Sequence, residues 1–220
     1  PESLSGDLRD ASASAQLLGQ EDVEPIDVIT AARSDYRRLL SVLYDKGYYG
    51  ASVSIRVDGQ EASNISLLRV SGSVEDVQIK VAAGERFRFS KAEIGPLAAE
   101  TVPPEGFATG KSAGLGVVRG AARTAVADWR DAGHAKAKIA KQSITANHPQ
   151  SRLSVDIDVD QGPRLRFGEL NVPQDGAVRP DRIRDIAGLP VGEVFSPEEL
   201  ETSSQRLRRS GAFRSVVLSE

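Results

Sequence analysis

The chain has 220 residues, a net charge of -3 from 28 basic and 31 acidic side chains, and ordinary globular shares of apolar (40%) and charged (27%) residues. These values exclude disorder, a collagen-like repeat and the basic excess of a protein that neutralises phosphates, so no nucleic-acid partner is expected. No apolar run approaches the ~18 residues of a membrane-spanning helix. With no cysteine, disulfides, thiolate nucleophiles and thiolate-held zinc are also excluded. Met is absent too and the chain begins Pro1-Glu2-Ser3, so it reads as a piece of a longer protein whose start and any signal peptide lie upstream.

In chain order, helices are predicted near 4–18 and 25–46. The second carries Tyr36, Leu39, Leu40 and Leu43 on one face and stops at Gly47; the i, i+3, i+4, i+7 stripe marks a core-facing helix, and glycine is the residue best able to end it. A strand follows over Tyr49 to Val57 and another over Val77 to Val81, with an extra strand possible at Ile65 to Val70. Next comes Gly84-Glu85-Arg86-Phe87-Arg88-Phe89, opening a strand, then a helical region. A helix follows with Ala122, Ala125, Val126 and Trp129 on one face and Gly133 at its end. Strands are predicted at Ala135 to Ile144 and Leu153 to Val159, where Asp156, Asp158 and Asp160 form the wet face of an alternating pattern. Finally Gly162-Pro163-Arg164-Leu165-Arg166-Phe167 opens a further strand. A helix capped by Ser196 and carrying Leu200, Ser203, Ser204 and Leu207 runs to Gly211, and a strand covers Phe213 to Leu218.

The two hexapeptides lie 78 residues apart, and each glycine-opened hexapeptide precedes its helix-ending glycine by 49 residues. Equal spacing of independent landmarks indicates an internal repeat. The fold class is α+β: three tandem units of strand, helix, helix, strand, strand, each with two helices packed on a three-stranded mixed sheet. The boundaries are 1–83, lacking its first strand; 84–161, complete; and 162–220, lacking its last strand.

Motifs for catalysis or metal binding are incomplete. Thr109-Gly110-Lys111-Ser112 resembles the end of a phosphate-binding loop, but Glu105 stands where the leading glycine is required. The three aspartates lack the glycine and terminal glutamate of a calcium loop, for Gln161 and Phe167 occupy those positions. His134 and His148 have no acid at metal-ligand spacing. Trp129 reads as a core anchor, and Arg86, Arg88, Arg164 and Arg166 as the solvated face of two strands. No catalytic residue, metal site or cofactor is expected.

The repeating unit, its Gly-x-Arg-(Phe/Leu)-Arg-Phe opening and the Gly47-Tyr48-Tyr49 and Gly211-Ala212-Phe213 junctions resemble polypeptide-transport-associated (POTRA) domains. These are the periplasmic arrays that precede the barrel of outer-membrane assembly proteins. Three copies and the sequence Gly-Glu-Arg-Phe-Arg-Phe are most similar to the TamA family, the barrel subunits of the translocation and assembly module. The resemblance implies a non-enzymatic periplasmic interaction module of a Gram-negative outer membrane. Such a module binds unfolded or assembling outer-membrane proteins by strand addition, passes them to a C-terminal outer-membrane barrel, and works with a TamB-like inner-membrane partner. It also implies that the strand after each helix glycine is the accessible edge, giving Val53 and Ile55, then Ala137, Ile139 and Lys141, then Val216 and Leu218 as partner-binding positions. Two alternatives stay open: a POTRA array of a BamA-like or two-partner secretion protein, and a small α+β ligand-binding protein or enzyme using Asp128, Asp131 and Asp156.

Overall fold

The structure is a computed structural model that describes residues 2–17, 20, 22–67, 72–172, 178–213 and 215–219. The chain divides into two compact units, one of Pro1–Ala92, Glu105–Arg119 and Ile144–Val155, the other of Glu93–Pro104, Gly120–Ser143 and Asp156–Glu220. Each is taken in turn.

In the first unit, helix α1 (Glu2–Ala11) and helix α2 (Ala13–Leu17) occupy the span predicted as a single helix. The break at Ser12 has a specific cause. Asp35, fully buried on helix α3 (Pro25–Asp45), accepts hydrogen bonds from the Ser12 hydroxyl at 2.8 Å, the Ala13 and Ser14 amides at 2.8 and 3.0 Å, and the Ser14 hydroxyl at 2.6 Å. A carboxylate placed on the free amides of a helix start satisfies donors that a continuous helix would spend internally. Helix α3 begins with proline, whose missing N–H is no loss in the first turn, and buries Ile29, Ala32, Leu39 and Leu43. It ends at Gly47, whose φ of 91° favours glycine.

Strand β1 (Ser52–Val57), the two-residue β2 (Gln60–Glu61) and β3 (Val77–Ala82) form a sheet in the order β2-β1-β3. Both pairings are antiparallel, so this sheet is not mixed as the sequence pattern suggested. Ile29, Ala32, Leu39, Ile55, Val57 and Ala62 form its core. The possible strand at Ile65 to Val70 is absent over Ile65–Leu67, which follows a 3-10 turn at Ala62–Asn64, and residues 68–70 lie outside the described set.

The second sheet has the order β4-β6-β5, from β4 (Arg88–Gly95), β5 (Lys138–Asn147) and β6 (Arg152–Asp160). The Arg88 amide donates to Ser151 O and the Ser90 hydroxyl to Leu153 O, so the chains of β4 and β6 advance together, the mark of parallel pairing. The three-residue 3-10 turn His148–Gln150 joins β5 to β6 as an antiparallel hairpin, and the sheet is mixed. Along β6, Leu153, Val155, Ile157 and Val159 are buried and Asp156, Asp158 and Asp160 are exposed, as the alternation required. On β4, Phe89 is buried and Ile94 half-buried.

Helix α4 (Leu115–Asp131) buries Val118, Ala121 and Ala125. A helix predicted before it, between β4 and α4, does not form. Glu105–Ala113 instead lies along the hexapeptide: Phe89 donates to Lys111 O, Gly110 to Phe89 O and Ala113 to Phe87 O. A helix would consume those backbone groups internally.

Helices α5 (Pro180–Ala187) and α6 (Pro197–Arg209) belong to the second unit. The Ser196 hydroxyl accepts from the Glu199 amide at 3.4 Å, the predicted cap, and Ser203, Ser204 and Leu207 are buried. The strands predicted at either side of these helices are not formed among the described residues. Arg166 makes an isolated bridge to Val194, and 215–219 has no regular structure. An extended segment needs a partner ladder to become a strand.

Candidate functional site

Strand β5 is the outer member of its sheet and ten residues long. Every residue from Ala140 to Asn147 is exposed, and Ile139 is half-buried. A strand with one neighbour presents a row of N–H and C=O groups that a further strand can pair with. Beside it, Ile139 borders a shallow apolar cleft of about 470 Å³ with Ala122 and Val126 of α4 and Pro197 of α6. The edge therefore offers both main-chain hydrogen bonds and a surface for alternate apolar side chains, the two components of strand addition. Lys138 pairs with Asp160 at 3.8 Å on the surface, and Lys141 is exposed beside it; charges along an edge discourage pairing between identical copies.

Two of the positions expected in the second repeat, Ile139 and Lys141, thus fall on an edge. Ala137 does not. It is buried in the turn before β5, where its amide donates to His134 O.

Val53 and Ile55 are a correction. They lie on β1, the inner strand of the first sheet, whose neighbours are β2 and β3. The reach of β2 is short, but its side chains extend the seal. Glu61 accepts from the Ile55 amide at 3.2 Å through Oε1 and from the Ser54 hydroxyl at 2.9 Å through Oε2. The Tyr36 hydroxyl sits between the Ile55 carbonyl, at 3.2 Å, and Glu61 Oε1. Hydrogen bonds from Tyr36 and Ser54 hold the Glu61 carboxyl below the usual range, while burial and the Glu61 carboxylate push the Tyr36 phenol up. No sequence periodicity marks this arrangement, because Tyr36 and Glu61 are 25 residues apart on a helix and a hairpin.

The first sheet has its open side at β3 instead. Val77, Ile79 and Val81 border a cleft of about 520 Å³ with Leu4 and Leu8 of α1. The third set, Val216 and Leu218, lies on an irregular segment with both side chains half-buried. Arg208 donates to Val216 O at 3.3 Å, and Leu218 borders a cleft of about 470 Å³ with Leu165, Phe167 and Phe195.

The residues of the enzyme reading are dispersed by element. Asp128 and Asp131 are near the end of α4, and Asp156 is on the wet face of β6. Trp129 is half-buried and donates to Pro96 O at 2.9 Å, with its ring edge-to-face with His134 at 4.8 Å.

Two small sheets, each packed with helices, define an α+β class. Among solved structures the chain is similar to the POTRA3-5 segment of Haemophilus influenzae BamA, with a TM-score of 0.55 and 17% identity over 84% of this chain and 71% of that one. The fold is therefore that of POTRA domains. No protein-family profile and no curated sequence matches the chain. No helix among the described residues is long and apolar enough to cross a membrane.

Proposed function

We propose that this chain is a POTRA array of three repeats, 1–83, 84–161 and 162–220, acting as a non-enzymatic periplasmic module of an outer-membrane protein assembly or translocation machine. It captures unfolded or assembling outer-membrane proteins by strand addition along β5 and hands them to an outer-membrane barrel in the same polypeptide. The observation that carries this reading is the ten-residue β5 edge, exposed from Ala140 onward and flanked by an apolar cleft. Main-chain recognition is tolerant of sequence, which suits clients that share only alternating strands. Three repeats and the resemblance of Gly84-Glu85-Arg86-Phe87-Arg88-Phe89 to the TamA family support an array of TamA type, with a TamB-like inner-membrane partner, over the BamA-like and two-partner secretion alternatives.

A photo-crosslinking amino acid at Lys141, compared with one at Lys80 on β3, tests the assignment in cells that are exporting outer-membrane proteins. Adducts with unfolded barrel proteins at Lys141 and few at Lys80 are expected. Adducts at neither position, or only at Lys80, would remove β5 as the capture edge.

A further inference from the structure

The paired hexapeptides have no part in the docking edge, yet the structure uses both in the same way. Each opens with glycine at positive φ, 69° at Gly84 and 62° at Gly162. Three residues on, the amide of Phe87 donates to Gly47 O and that of Leu165 to Gly133 O, both at 2.8 Å. These acceptors are the glycines that end α3 and α4. Between them, Arg86 Nε donates to Lys46 O at 2.8 Å and Arg164 Nε to Ala132 O at 3.1 Å.

The last carbonyls of a helix have no partner within it and lie at the negative end of its dipole, where a guanidinium is the favourable donor. The second arginine of each hexapeptide points to the other flank: Arg88 donates to Gly110 O at 2.9 Å and Arg166 to Gly192 O at 2.7 Å. The backbone ladder recurs too, with Phe89 donating to Lys111 O and Phe167 to Glu193 O, both at 2.9 Å. All four arginines are exposed and all four are occupied, so the outward side chains of the two hexapeptides are a set of ties, not merely a solvated surface.

We propose that Arg86 and Arg164 are the ties of two equivalent joints, each fastening the end of one repeat's helix to the opening segment of the next, so that the chain resists bending at both. This rests on the repeat reading and is independent of where clients dock. Each joint has further ties of its own. Around the first, the Tyr49 hydroxyl donates to Ala113 O and Arg119 pairs with Asp45, each at 2.6 Å. In the second, Ala135 stands two residues after the helix glycine, where the first has Tyr49. There the His134 ring nitrogen hydrogen-bonds with Gly162 O at 2.9 Å, a side-chain tie between the helix end and the hexapeptide in place of the tyrosine.

Because the chain has no cysteine, pairs of introduced cysteines can be spin-labelled without background. Lys80→Cys with Thr145→Cys spans the first joint, and Ser143→Cys with Glu198→Cys spans the second. Pulsed electron–electron distance measurements on the whole chain should give one narrow distribution for each pair. Arg164→Ala should broaden the second distribution and leave the first unchanged; Arg86→Ala should broaden the first and leave the second unchanged. Arg86→Met and Arg164→Met, which keep the side-chain stem and remove only the donors, should behave as the alanine variants do, with far-UV circular dichroism melts confirming that the helices persist. Distributions as narrow in the variants as in the parent, or already broad in the parent, would overturn the proposal. So would broadening at both joints from a single substitution. Client binding is read in a separate experiment, so a failed docking edge and a failed joint are distinguishable.

Discussion

Each of the two sheets holds a strand that follows a helix-ending glycine, and the two differ at that strand's outer side. In the first, the outer side of β1 is closed by the β2 hairpin and by Glu61 and Tyr36, which take the amide and carbonyl of Ile55. In the second, the corresponding strand β5 runs ten residues with its outer side open and both faces wet from Ala140 onward. The difference is one of available donors and acceptors, because both strands follow a helix that ends in glycine. An edge is defined by what its neighbours leave unpaired, and a pair of side chains can retire it.

The largest effect is expected from removing the support of the first sheet's remaining open side. Asp35→Ala takes the acceptor away from two amides and two hydroxyls in a buried site. It should cost about 3 kcal/mol, as several buried donors are left without partners. Urea unfolding of the parent and variant measures this, and loss of α1 and α2 would also expose Val77, Ile79 and Val81 of β3.

Proline placed singly at Ala140 and at Lys141 sharpens the comparison on the other sheet. Neighbouring amides of a strand point to opposite sides, so one variant breaks the ladder to β6 and the other removes an outward donor. The first should lose about 3 kcal/mol of stability. The second should keep the parent's melting temperature yet bind an alternating apolar peptide at least about tenfold more weakly, or about 1.4 kcal/mol. Binding unchanged in both would remove β5 from the docking surface.

Glu61→Ala should convert the first sheet toward the second. The Ile55 amide loses its partner, and its hydrogen-exchange protection should fall while that of the β1–β3 ladder holds. The same seal titrates. The Glu61 carboxyl is held low, so its contribution is present above the ordinary glutamate value of about 4.3 and is lost as pH falls through the folded-state value. The Tyr36 phenol is raised, so its contribution is present below about 10 and is lost as pH rises through the folded-state value. Protection of Ile55 should therefore weaken at both extremes and stay level between them. Tyr49, pushed up to about 12 chiefly by burial, should remain neutral over the same span.

Lys138→Ala should change stability least, by under about 0.5 kcal/mol, because its 3.8 Å pair with Asp160 is exposed on both sides.

Much of the fold was legible because period and punctuation agree: the stripe on α3 with Gly47, the stop of α4 at Gly133 and the Ser196 cap of α6 formed as read, whereas the buried face of α4 is Val118, Ala121 and Ala125, with Ala122, Val126 and Trp129 only half-buried. The wet aspartates of β6 were legible for the same reason, since alternation needs no partner to be recognised. What the sequence concealed depends on contacts distant along the chain. Asp35 splits the first predicted helix from 21 to 23 residues away, and Glu61 seals β1 through Tyr36. The helix predicted before α4 gave way because its backbone is committed to the hexapeptide at Phe87 and Phe89. Ile139 and Lys141, read from their place after a helix glycine, lie on the outer strand β5. That rule misplaced Val53, Ile55 and Ala137, because position after a helix does not say whether a strand's outer side is taken. The hexapeptide arginines were visible as a repeat, but their acceptors are main-chain carbonyls, which carry no sequence signature.

The most direct test of strand capture is a backbone-amide NMR titration of the chain with a peptide of about ten residues that alternates apolar and polar side chains. The account predicts new exchange protection and shift changes at alternate amides between Lys138 and Asn147, with Ile55 unaffected. Saturable binding that leaves those β5 amides unchanged, or that maps to β3 instead, would contradict it.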